Sequence, residues 1–118
     1  MTLSFVETRW FTENCLEYFL DDDGYRRFQT ALTEAPDAGR VMPGTGGFRK
    51  IRWADPRRGK GKRGGIRVIY LHVADVFLVV LADAYNKDEA DDLTAAERAE
   101  LERLAGVLRD EMRKGEYG

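Results

Sequence analysis

The sequence predicts an α+β fold, a small twisted, mainly antiparallel sheet with helices packed on one face. Three observations predict it. Apolar residues recur at helical spacing before residue 36 and after residue 94, and the stretch between them reads as strands and glycine turns. Two apolar runs, 66–72 and 76–85, are separated by the short Ala74-Asp75 connection of a hairpin. The 118 residues, 43% hydrophobic and 34% charged, suffice for one modest core, so 1–118 is read as a single domain.

Taken in order, the Leu3 and Phe5 alternation predicts a short first strand, with a helix start close to Glu7 and Thr8. Trp10, Phe11, Cys15, Tyr18 and Phe19 then recur at helical intervals. The run Asp21-Asp22-Asp23-Gly24 breaks that helix and places acids at the positive end of the next. Tyr25, Phe28 and Leu32 give the second helix an apolar stripe, and Pro36 requires it to stop. A glycine-rich turn, residues 43–47, leads into the strand "FRKIRW". Side chains alternate along a strand, so Ile51 and Trp53 share one face and Phe48, Lys50 and Arg52 the other. Residues 55–65 form a basic loop. The strand 76–85 is apolar on both faces in its middle, which predicts a central position. Thr94-Ala95-Ala96-Glu97 is a capping box opening a last helix, with Leu101, Leu104, Leu108 and Met112 along one side.

Net charge is −2, but its distribution is uneven. Between Arg49 and Arg67 stand nine Lys/Arg and one acid, Asp55, a local excess of +8 against −10 for the other 99 residues. Such a local field attracts a polyanion. No basic start with an apolar stretch marks a targeting segment, and the longest apolar run, Val76 to Ala82, is too short for a membrane-spanning helix. A single cysteine, Cys15, fits a reducing cytoplasm and reads as a small core residue.

Several chemistries are poorly served. With one histidine, His72, and one cysteine far from it, no clustered zinc ligands exist. Asp88, Glu89, Asp91 and Asp92 lack calcium-loop spacing and are accounted for by the dipole of the helix that follows. The expectation is therefore no metal and no cofactor. The one serine, Ser4, has no histidine placed to activate it. "GKGKRGG" lacks the Ser/Thr of a phosphate-binding loop, and "GTGG" precedes a strand instead of opening a helix. RNA, however, carries its own nucleophile, the 2′-hydroxyl. Cations that grip the scissile phosphate can stabilise the transition state without metal or histidine. Lys50, Arg52 and Arg67, on neighbouring predicted strands, are residue types that serve such a site: arginine holds phosphate with a planar fork, and a lysine beside other cations can give up its proton.

The succession "GTGGFRKIRW", "GKGKRGGIRVIYLH" and "VFLVVLADAYNKDEADDLTAAERAEL" resembles the RelE superfamily of bacterial toxins, and most of all its HigB-type members. The likeness runs in order over most of the chain. It implies a metal-independent endoribonuclease, an mRNA interferase that cuts translated messages in the ribosomal decoding site by 2′-hydroxyl attack. It also implies a cognate helix-turn-helix antitoxin of the HigA type, and contact with operator DNA only through the toxin–antitoxin complex. By position, Lys50, Arg52, Arg67 and Lys87 match the family's catalytic cations, and Tyr85 is the candidate stacking ring. Asp88 and Thr94 stand where RelE itself has a further arginine and a tyrosine. Arg49, Arg57, Arg58, Lys60, Lys62 and Arg63 form the candidate RNA- and ribosome-binding set. Two other readings share these features: a ParE-like inhibitor that binds DNA gyrase, and a non-catalytic RNA- or ribosome-binding module.

Overall fold

The computed structural model describes residues 2–54, 65–86 and 93–115. Five strands form one sheet: β1 (Ser4–Glu7), β2 (Arg40–Val41), β3 (Arg49–Trp53), β4 (Ile66–Val73) and β5 (Leu78–Asn86). Three helices accompany it: α1 (Arg9–Asn14), α2 (Asp22–Glu34) and α3 (Ala95–Lys114). The sheet order is β1-β5-β4-β3-β2, antiparallel except for the β1–β5 pair. The α+β class and the central position of β5 are as the sequence predicts. β2, only two residues long, was not anticipated.

The helices cover both faces, and this corrects the one-face arrangement. On one side, α1 and α2 bury Phe11, Phe28 and Leu32 in a core with Val68, Tyr70, Val79 and Leu81. On the other, Ala105, Leu108 and Met112 of α3 share a core with Phe48, Ile69, Leu71, Leu78 and Val80. The reason lies in β4 and β5, whose successive residues are apolar, so each face of the sheet must be shielded from water. The α3 stripe is also rotated from the expected one: Ala105 is fully buried, whereas Leu104 is 39% exposed.

Thr8 sets the first turn of the chain. Its amide donates to the Leu81 carbonyl, its side chain accepts from the Phe11 amide, and α1 therefore leaves the sheet where β1 ends. The register passes from Tyr70–Leu81 to Ile69–Asp83, leaving Ala82 as the extra residue of a bulge. The first helix is shorter than its apolar spacing suggests. It stops at Asn14, and Leu16–Tyr18 form a 3-10 turn that brings Phe19 onto Phe28 at 5.5 Å. Trp10 remains 59% exposed. The other helix ends follow the sequence: Asp21 caps α2, which ends at Glu34 ahead of Pro36, and Thr94 with Glu97 closes the capping box of α3.

Tyr70 ties the α2–β2 connection to the sheet. Its buried hydroxyl accepts from the Gly39 amide at 2.9 Å and donates to the Pro36 carbonyl at 2.8 Å. Tyr70→Phe leaves both backbone groups without that partner, so chemical denaturation should register a loss of about 1–3 kcal/mol. An unchanged midpoint would mean that other groups satisfy them.

Candidate phosphate-binding site

The sheet brings the central cations together. Ile51 and Trp53 pack into the core under α1 and α2, so Lys50 and Arg52 leave β3 on the α3 side. Arg67 lies between Ile66 and Val68, both in that same core, and it too projects to the α3 side. Register sharpens this. Arg52 is directly opposite Arg67, Arg67 is directly opposite Tyr85, and Lys50 is opposite Ile69. Lys50, Arg52, Arg67 and Tyr85 therefore occupy one face across three adjacent strands.

Arg67 is two residues from Ile69 of the α3 core, about 7 Å along the strand, and Tyr85 packs against that core. Arg52 is exposed, while Lys50, Arg67 and Tyr85 are half-buried. Arg52 and Arg67 put two like charges on one rung of the β3–β4 ladder. Tyr85 and Ile69 also line a cavity of about 420 Å³ that reaches Trp10, Met42 and Leu93 and carries Glu17 and Asp83 on its wall.

Arg49 is placed elsewhere. It lies opposite Tyr70 on the α1/α2 side, where Nη1 donates to the carbonyls of Gly39 at 2.8 Å and Asp37 at 3.1 Å. Its Nη2 is also 3.5 Å from the Asp37 carboxylate. Of the proposed RNA-binding set, Arg49 thus braces the α2–β2 connection. Arg57, Arg58, Lys60, Lys62 and Arg63, together with Lys87, lie outside the described residues. The sequence reading passed over Arg40, which stands opposite Lys50 in the β2–β3 register. An isolated arginine after a helix carries no local signal; only strand pairing places it.

His72 also projects to the α1/α2 side, with Tyr70, so it is separated from the cations by the sheet. Its Nδ1 is 2.8 Å from Asp37 Oδ1. That hydrogen bond, with Arg49 adding to it, holds the Asp37 carboxyl below its ordinary 3.8. Folding thus depresses this pKa. The stabilisation is present above the unfolded value and lost as pH falls through the folded one. Tm measured for the protein and for Asp37→Asn should differ at about pH 5, above the aspartate pKa, and converge as acid protonates Asp37. A constant difference down to acid pH would remove the carboxylate from this role.

Cys15 is no nucleophile. Burial pushes its thiol up to about 11, with the nearby Asp83 carboxylate adding to the rise, so it stays protonated at neutral pH. Its Sγ sits 3.6 Å from Asp83 Oδ1, and Trp10 Nε1 donates to that same oxygen at 3.0 Å. Among the described residues, no group of three or more His, Cys, Asp or Glu could hold a metal, and no helix is long and apolar enough to cross a membrane. No protein-family model matches the chain.

Proposed function

We propose that this chain is a metal-independent endoribonuclease of the RelE/HigB type, the toxin of a toxin–antitoxin pair, which acts in the cytoplasm on mRNA held by the ribosome. The observation that carries the reading is the shared face of Lys50, Arg52 and Arg67, with the two arginines directly opposite one another. A phosphodiester between those guanidinium groups meets paired fork-like donors. As the 2′-oxygen attacks phosphorus, negative charge grows on the non-bridging oxygens, and fixed cations stabilise it more than the ground state. The P–O5′ bond breaks, leaving a 2′,3′-cyclic phosphate and a 5′-hydroxyl.

The proton of the 2′-hydroxyl must leave, and one must reach the departing 5′-oxygen. Arginine does not deprotonate in proteins and the Tyr85 hydroxyl is buried, so among the described members of the set these transfers fall to Lys50. Tyr85, beside Arg67, offers its ring to a base adjoining the scissile phosphate. Held by the ribosome, the message arrives with its backbone already positioned, which supplies the in-line geometry that a few surface cations do not.

Induction of the chain in bacteria, followed by mapping of new 5′-hydroxyl ends, tests this. Cuts are expected in a translated reporter and not in the same transcript without its start codon. Supercoiling of a resident plasmid is measured alongside. Intact transcripts with altered supercoiling would replace this reading with gyrase inhibition, and intact transcripts with stalled ribosomes would replace it with a binding module. A neighbouring gene encoding a short helix-turn-helix protein that restores growth is expected as the antitoxin.

A further inference from the structure

The β5 edge opens where β1 stops. The β1–β5 register ends at Glu7 opposite Leu81, so the bulged Ala82 has no partner on β1. The chain turns into α1 there, and a groove of about 680 Å³ runs between Thr8 and Trp10 on one side and α3 on the other. Trp10, Ala82, Leu101 and Leu104 supply its apolar lining, and Trp10 and Leu104 are exposed. On α3, Glu97, Glu100, Leu101 and Leu104 recur at three- and four-residue spacing, so they form one face over about two turns. Three carboxylates share the groove: Asp83, Glu97 and Glu100. Asp83 Oδ1 meets only neutral donors, the Trp10 indole, the Cys15 thiol and the Ala84 amide, and Glu97 accepts from the Thr94 amide. None of these bonds cancels a charge. Glu100 meets Arg103 at 3.0 Å, but that pair is open to water, which weakens it.

We propose that this groove receives an amphipathic helix of another protein, with its apolar face on Trp10, Leu101 and Leu104 and its flanking lysines or arginines against Asp83, Glu97 and Glu100. The inference holds whether or not the chain cuts RNA. An α-helix with its side chains is about 10 Å across and repeats an apolar face every three to four residues, which suits a trough that follows α3 for about two turns. Taking the exposed indole and leucine out of water supplies the attraction. The carboxylates select the sign of the flanking charge, because an acidic helix of equal apolarity would bring like charges together.

The probe is a synthetic peptide of about 18 residues, with leucines on one helical face and lysines on the other, titrated into the isotopically labelled full chain while backbone amide signals are followed. Binding is expected at micromolar concentration, with the shifted signals centred on residues 8–10, 82–83 and 96–104. Trp10→Ala and Leu104→Ser should each weaken it about tenfold, as truncation of a central contact does. Leu104 lies outside both buried clusters, so Leu104→Ser keeps the fold and its unshifted signals report this directly. Glu100→Lys should weaken binding and lower its salt dependence. Absence of binding overturns the proposal, as do signals that shift elsewhere or a Leu104→Ser protein that binds as the parent does. Equal binding of a peptide with glutamate in place of lysine removes the charge recognition, and equal binding of one broken by a central proline removes the helix; either result overturns it. Groove signals that shift as the chain alone is concentrated would give the groove to a second copy instead.

Discussion

Arg67→Ala is expected to lower mRNA cleavage by about 100-fold or more, the scale seen when one preorganised charge-stabilising donor is removed from a transition state. The fold should survive. Arg67 is half-buried and belongs to neither of the two buried clusters. Thermal unfolding should register a modest loss, about 0.5–1 kcal/mol, because the stem of a half-buried arginine packs on its surroundings. Arg67→Lys separates charge from geometry: it keeps the cation but loses the two-pronged grip, so it should recover part of the activity and not all of it. The measurements are growth after induction and the yield of mapped 5′-hydroxyl ends. An Arg67→Ala protein that arrests growth and cuts at the parent positions would remove this arginine from the site.

The second large effect comes from a residue with no side chain. Gly65 precedes β4 with φ +59, and a Cβ there would collide with the Trp53 carbonyl oxygen and meet Ala54 Cα at 2.8 Å. Trp53 ends β3 and pairs with Ile66, one rung from the Arg52–Arg67 pair. Gly65→Ala therefore combines a left-handed backbone, about 1–2 kcal/mol, with a backbone clash of about 1–3 kcal/mol. The expected loss is about 2–5 kcal/mol in urea unfolding, accompanied by weakened cleavage because β4 is pushed off β3 beside the cations. Gly106→Ala serves as the control. That glycine lies within α3 with nothing near its Cβ position, so the substitution should stabilise by about 0.5–1 kcal/mol. Equal responses at the two glycines would mean that the close approach at Gly65 is not maintained in solution.

Period alone placed most of the elements. Thr94 and Glu97, Asp21 and Pro36 are local stop and start signals, and each helix boundary they mark lies where they put it. Apolar spacing was less reliable where two kinds of turn compete. Phe11, Cys15 and Phe19 are buried as their spacing implies, but the chain reaches Phe19 through a 3-10 turn, because Phe19 must meet Phe28 and Tyr25 of α2.

By itself, the sequence determined the α+β class, the central place of β5, and the side of β3 from which Lys50 and Arg52 project, since alternation along a strand is a local property. The tertiary structure alone decided that α3 lies on the opposite face from α1 and α2, that Arg49 turns to Asp37, and that Arg40 and Arg98 come beside Lys50. These depend on register and on which apolar face each helix covers. Both are set by contacts between residues far apart in the chain, and no local pattern records them.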